Sequence, residues 1–297
     1  GLGDVYKRQL IPPSALMIIY GILTEQSIGK LLMAGIGPGF LLTLIFSAGI
    51  IVFGIRFPTR APRSETVFSI TEKLKATLGV SGIVALVLGI IIGMYTGVFT
   101  PTEAGAAGAF GALILALAMR RLSRDRFISA LQEASQTTAL VFFILIGAMI
   151  FARFLVLTGL PGDFVDMVNR MDVPPMVIVI LFMIMYVFLG MFQDSISMMS
   201  ITLPIVHPII VGLGIDPIYF AMLVIMAIEI GLITPPLGLN VYTVRSVAVQ
   251  MPEGRDITLE SIFSGILPFF FLSVAALIIL LLVPSISTYI PSQMFGQ

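Results

Sequence analysis

Four stretches of this sequence, residues 31–55, 76–99, 174–193 and 261–283, contain no Asp, Glu, Lys or Arg. Each is long enough for one α-helix to cross a bilayer, which takes about 20 mostly apolar residues. Two more come close: 101–119, with Glu103 near its start, and 134–158, with Arg153 near its end. Further segments are apolar but interrupted by proline: 10–24 (Pro12, Pro13), 195–215 (Pro204, Pro208) and 217–249 (Pro235, Pro236). Unpaired backbone groups are so costly in hydrocarbon that such segments are expected to fold as helices. Only 11% of the 297 residues are charged, against about a quarter in a soluble domain, and mean hydropathy is +1.09. The expected fold class is an all-α polytopic membrane protein.

Several chemistries are excluded by what is missing. Sixteen basic and sixteen acidic residues cancel, so no basic footprint for nucleic acid exists. Cysteine is absent and there is a single His, which leaves no thiolate nucleophile or disulfide and little for a transition metal. No Ser/His/Asp set, paired catalytic acids or phosphate loop stands out. The chain is therefore expected to be neither an enzyme nor the carrier of an organic cofactor.

Charge placement predicts orientation. Arg56, Arg60, Arg63, Lys73 and Lys75 share one connecting region and Arg120, Arg121, Arg124 and Arg126 another. The positive-inside rule puts both in the cytoplasm. Residues 76–119 then form a hairpin whose turn, near Thr100, faces the outer side. The loop expected at 159–173, with Asp163, Asp166 and Asp172 against Arg170, suits the outer side too. Residues 124–134 and 256–263 look amphipathic and read either as interfacial arms or as simple connectors. Residues 1–9, GLGDVYKRQ, lack the order of a signal peptide and read as a non-native leader.

The most informative motif is Pro-Pro inside apolar sequence. Proline removes a backbone donor and clashes with the preceding turn, so a membrane helix must break there. LIPPSAL at 10–16 and GLITPPLGLN at 231–240 are two such breaks. Each is followed by an apolar helix, a short polar stretch and a long uncharged span, a weak internal repeat. Repeats with discontinuous helices meeting near the midplane mark secondary transporters, where unwound carbonyls hold Na⁺ and half-helix N-termini face anionic groups. Three segments precede the second break and none precedes the first. A matched repeat therefore predicts roughly 120 to 140 further residues ahead of Leu10 in a longer protein.

Other motifs admit a structural and a functional reading. Thr100-Pro101-Thr102-Glu103 has the form of a capping box with Pro at the first helical position. Ala104, Gly105, Ala107, Gly108 and Gly111 after it allow close helix packing. Asp194, in GMFQDS, is either a functional acid at membrane depth or the cap of the helix opening at Ser195. Asp216-Pro217 reads as a cap and first-position pair. Glu229 either pairs with Arg245 or Arg153 or takes part in coupling. His207 reads as a local hydrogen-bonding residue rather than a proton relay, and the Phe and Met stripes as lipid-facing or core packing.

Together these segments resemble the large membrane subunit of the tripartite ATP-independent periplasmic (TRAP) transporters. GVFTPTEAGAAGAFGA (97–112), LIPPSALMIIYGILTEQSIGKLLMAGIGPG (10–39), IGLITPPLGLNVYTV (230–244) and GMFQDSISMMSITLPIVHPIIVGLGIDPIYF (190–220) carry the resemblance, in order, from Leu10 to about Ile290. It implies an elevator-type secondary transporter of the ion transporter superfamily, with inverted repeats, a re-entrant hairpin and broken helices. Residues 10–132 would be the end of the first repeat with scaffold helices, and 133–297 the second repeat. It further implies a multi-pass protein of the bacterial inner membrane. Na⁺ would drive import of an organic anion such as a C4-dicarboxylate or sialic acid. A small membrane subunit and a periplasmic substrate-binding protein would be its partners, besides the lipid bilayer.

The resemblance also implies Na⁺ ligands, mostly backbone carbonyls and hydroxyls. Ile11 and Pro13 belong to a first site, whose glycine ligand would fall at Arg8 and whose hairpin serines have no counterpart here. The second site maps to Gly190, Gly231, Thr234 and Leu237. Ser14, Asp194, Ser195 and Asn240 are secondary candidates for the same pocket or an adjacent substrate site. Of the two sites only the second is expected to be intact, and the chain alone is not expected to transport. A stand-alone anion:cation symporter of the same superfamily is the main alternative. A passive channel or structural membrane subunit fits the two breaks less well, because a channel calls for polar stripes on continuous helices.

Overall fold

The computed structural model describes residues 14–57, 69–120, 122–170, 173–249 and 258–295, and the regular structure among them is helical throughout. In chain order the helices are α1 (Ala15–Thr24), α2 (Ile28–Ala34), α3 (Ile36–Arg56), α4 (Ile70–Tyr95), α5 (Pro101–Ala118), α6 (Arg124–Thr158) and α7 (Leu160–Arg170). They continue with α8 (Pro175–Gly190), α9 (Ser195–Gly212), α10 (Pro217–Ile233), α11 (Leu239–Ala248), α12 (Leu259–Leu282) and α13 (Ser285–Phe295). Among the described residues, five helical runs are long and apolar enough to cross a membrane: Ile28–Arg56, Pro101–Ala118, Arg124–Thr158, Ser195–Gly212 and Leu259–Leu282. Large side chains such as Phe143 and Leu157 of α6 are mostly exposed. That is costly in water but natural against lipid. The protein is a multi-pass membrane protein.

The chain divides into two units, residues 1–49 with 141–297, and residues 50–140. In the second, α4 and α5 pack as a hairpin. The capping box between them is complete. Glu103 Oε2 accepts from the Thr100 N–H and hydroxyl, both at 2.8 Å, and the Glu103 N–H reaches back to Thr100 Oγ1 at 3.3 Å. The small residues of α5 serve packing selectively. Gly108 lies under Ile90 and Gly111 under Leu86, whereas a Cβ on Gly105 would meet nothing within 4 Å among the described residues.

The first unit is built around α10. Every residue from Ile218 to Leu232 except Glu229 is buried, as expected of a helix that is apolar all round. Helices α8 and α12 pack along it, with α1, α2, α9, α11 and α13 completing its surroundings. Buried tyrosines find partners for their polar ends. Tyr20 donates to the Pro217 carbonyl at 3.3 Å, Tyr219 to Leu281 O at 3.0 Å, and Tyr186 pairs with Thr202 Oγ1 at 2.8 Å. Asp216 caps α10 through Oδ1, which accepts from Ile218 N and Tyr219 N at 2.7 and 2.8 Å.

Four sequence expectations need correction. Residues 124–134 are not a separate arm: α6 runs unbroken from Arg124 to Thr158, because no Gly or Pro occurs before Gly147. The segment expected as an acidic loop at 159–173 contains α7, whose Val168 packs with Ile178 and Ile209 while Asp163 and Asp166 stay exposed. Pro204 and Pro208 do not interrupt α9. The bonds they forfeit are tolerated because α1, α7, α8 and α10 pack against the helix. His207, on the same helix, is not held by a local hydrogen bond at Nδ1. That atom is buried without a partner among the described residues, and the ring stands edge-on to Tyr20, centroids 6.4 Å apart. Of the second amphipathic stretch, 256 and 257 lie outside the described residues and α12 takes up the rest from Leu259.

Candidate functional site

Helix α10 stops at Ile233 because neither Pro235 nor Pro236 can donate to the turn before it. Thr234 takes an extended conformation (φ −89°, ψ 134°), the Pro235-Pro236 bond is cis, and Gly238 adopts a left-handed φ of +51° before α11 begins at Leu239. Buried Thr234 stitches the end of α10. Its N–H donates to Gly231 O at 3.0 Å and its hydroxyl to Ile230 O at 2.6 Å. A hydroxyl that donates its hydrogen still holds oxygen lone pairs.

A second helix ends at the same place. Helix α8 closes at Gly190, where the amide of Met191 turns back to Phe188 O at 3.2 Å and those of Phe192 and Gln193 to Leu189 O at 3.0 Å. Gly190 and Gly231 touch backbone to backbone. A Cβ on Gly190 would lie 3.0 Å from Gly231 Cα and 3.2 Å from Ile228 O. One on Gly231 would lie 2.6 Å from Val187 O and 2.7 Å from Gly190 Cα. The last carbonyls of a helix lack intrahelical donors, and each C-terminus carries roughly half a negative elementary charge. Two C-termini in contact, beside the lone pairs of a buried hydroxyl, favour a cation. A separate small space of about 60 Å³ beside the break is walled by Ile233, Thr234, Pro235, Phe263, Ile266, Leu267 and Phe270. Its lining is apolar apart from Thr234 and does not reach Gly190 or Gly231.

The structure therefore brings together Gly190, Gly231 and Thr234. Leu237 is 38% exposed in the connection, and Asn240 is half-buried in the first turn of α11. Asp194 is the cap of α9, its Oδ1 accepting from Ile196 N and Ser197 N at 3.0 and 3.1 Å, and Ser195 behind it is fully buried. Ser14, at the start of α1, is fully buried, its Oγ without a partner among the described residues. Ile11, Pro13 and Arg8 lie outside the described residues. Val187 and Ile228, whose carbonyls press on the glycine pair, were not foreseen, because a backbone contact has no side-chain signature.

The two Pro-Pro motifs are followed by helices of equal length, ten residues in α1 and ten in α11, and then by the long apolar α3, after the short α2, and α12. Residues 8–286 match the family described as tripartite ATP-independent periplasmic transporter, DctM component. The chain belongs to this family. Among its relatives are the C4-dicarboxylate TRAP transporter large permease protein DctM of Pseudomonas aeruginosa, 34% identical over 95% of this chain. The 2,3-diketo-L-gulonate TRAP transporter large permease protein YiaN of Escherichia coli is 32% identical over 93%. The sialic acid TRAP transporter large permease protein SiaM of Vibrio cholerae is 31% identical over 97%. The chain spans 64%, 63% and 65% of these relatives' lengths, respectively, less than two thirds of each. All three are named as permeases, in line with the lack of a catalytic set noted in the sequence.

Proposed function

We propose that this DctM-family chain acts in a Na⁺-coupled TRAP permease of the bacterial inner membrane. Its cargo is an organic anion, a class that includes the C4-dicarboxylate, sialic acid and diketogulonate in the relatives' names. A periplasmic binding protein delivers the cargo and a small membrane subunit completes the assembly. The carrying observation is the meeting of two helix C-termini at Gly190 and Gly231 beside Thr234. Carbonyl dipoles and a hydroxyl oxygen suit a hard monovalent cation, and Leu237 and Asn240 extend the pocket through the connection to α11. The N-terminus of α11, just across the break, carries the opposite partial charge and suits an anionic group. In this reading the α8–α9 hairpin and the α10–α11 break belong to a domain that moves as an elevator, Na⁺ closing the pocket before it moves.

The test is uptake by the assembled transporter in proteoliposomes. Uptake that requires the binding protein and an inward Na⁺ gradient supports the proposal. Uptake that persists when choline replaces Na⁺ defeats the coupling, and uptake without the binding protein favours a stand-alone symporter.

A further inference from the structure

The turn between α5 and α6 carries a backbone anomaly. Arg120 stands one residue past Met119, the cap that ends α5, at a left-handed φ of +52°. Its N–H closes back on Leu117 O at 2.9 Å. Glycine is the usual residue at such a helix stop, because a Cβ in this conformation crowds its own backbone. Arginine adds nothing to the stop that glycine lacks. What it adds is an exposed guanidinium. Four residues on, Arg124 opens α6. Phe127, Ile128 and Leu131 follow it at the three-, four- and seven-residue spacings that share one helical face. They are 39%, 41% and 52% exposed. Asp125 and Glu133, the acids of these turns, fall outside that stripe at 3.6 residues per turn.

Membrane depth says what meets this face. Helix α5 has 18 residues, about 27 Å at 1.5 Å per residue, close to the roughly 30 Å of bilayer hydrocarbon. A crossing by α5 therefore sets Arg120 and the first turn of α6 at the level of the lipid headgroups. Phe127 and Ile128, unfavourable in water, suit the boundary with the acyl chains. A guanidinium makes paired, charge-assisted bonds to phosphate. Two arginines on a stripe without acids are complementary to a lipid of net negative charge rather than to a zwitterionic one. We infer that Arg120 and Arg124 bind the phosphate of an anionic phospholipid, with Phe127 and Ile128 against its acyl chains.

Native mass spectrometry of the delipidated protein reads this binding without transport, and so independently of the ion pocket. The protein is titrated with phosphatidylglycerol and with phosphatidylethanolamine of the same acyl chains. Phosphatidylglycerol is expected to bind about tenfold more tightly. Arg120→Gly and Arg124→Gln should each lower its affinity about fivefold and leave phosphatidylethanolamine unchanged, while Arg124→Lys should keep most of it. Thermal unfolding in lipid-free detergent separates binding from folding. Glycine suits the left-handed position, so Arg120→Gly should melt no lower than wild type. Equal affinity for the two lipids overturns the inference, as does a preference for phosphatidylglycerol that survives in the double variant. A marked fall in the melting temperature of Arg120→Gly would give the arginine to the fold. Unchanged lipid binding with loss of a co-purifying membrane protein would give the face to a protein partner. Either result also overturns it.

Discussion

Adding one methyl group at Gly231 tests the helix crossing on which the ion pocket depends. The new Cβ would lie 2.6 Å from Val187 O and 2.7 Å from Gly190 Cα. Ordinary contact begins near 3.4 Å, so α8 and α10 must part by about 0.8 Å. Both obstructing atoms are backbone, so no side-chain end can swing away. Overpacking of this kind costs about 1–3 kcal/mol. Gly190→Ala is milder, its closest contact being 3.0 Å, and should fall at the lower end. Gly147→Ala in α6 is the control, because its Cβ meets nothing within 4 Å among the described residues. There Ala should gain up to about 1 kcal/mol of helix propensity. Thermal unfolding in detergent, with and without Na⁺, is the assay. The expected order of stability is Gly147→Ala, wild type, Gly190→Ala, Gly231→Ala, and the Na⁺-dependent rise in melting temperature should shrink in the last two. A Gly231→Ala protein as stable and as Na⁺-responsive as wild type would refute the contact.

Other substitutions probe separate parts of the account. Thr234→Val keeps the shape but removes the oxygen. It should weaken Na⁺ affinity about tenfold in a Na⁺ titration of melting temperature, and Thr234→Ser should restore it. Asp194→Ala should cost about 1 kcal/mol through loss of the α9 cap, while Asp194→Asn should melt like wild type; a large loss of Na⁺ response in the Asn variant would show that the charge acts beyond capping. Tyr186→Phe removes the 2.8 Å bond to Thr202 and should cost about 1 kcal/mol. A double-mutant cycle with Thr202→Val checks that the loss belongs to the pair.

Features encoded within a few residues were legible in the sequence. The capping box at Thr100 to Glu103, the caps at Asp194 and Asp216 and the break at Pro235-Pro236 follow from short-range rules about donors, acceptors and proline. Four of the five spans followed from uncharged or nearly uncharged length, whereas the uncharged stretches 76–99 and 174–193 contain shorter apolar helices, Ser81–Tyr95 and Pro175–Gly190. Features set by distant packing were less legible. Pro204 and Pro208 looked like interruptions, yet α9 is continuous because four helices surround it. Helix α7 was hidden by its acids, although Val165 and Val168 mark a buried face three residues apart. His207 was read by residue type, but its surroundings include the edge of Tyr20 and no partner for Nδ1 among the described residues. For the candidate site, resemblance pointed to Gly190, Gly231, Thr234 and Leu237, besides Ile11 and Pro13 outside the described residues; the structure sets Gly190 against Gly231 and Thr234 on the same helix end, and leaves Leu237 exposed. Two backbones approach where a side chain would obstruct them, and this contact joins residues 41 apart in sequence.

Equilibrium binding of radioactive ²²Na⁺ to the purified protein tests the central claim most directly. Wild-type protein should retain the ion, and unlabelled Na⁺ should displace it. Thr234→Val and Gly231→Ala should each retain markedly less, while Gly147→Ala should retain as much as wild type. Saturable retention that is indifferent to Thr234→Val and Gly231→Ala would contradict an ion held where α8 and α10 end.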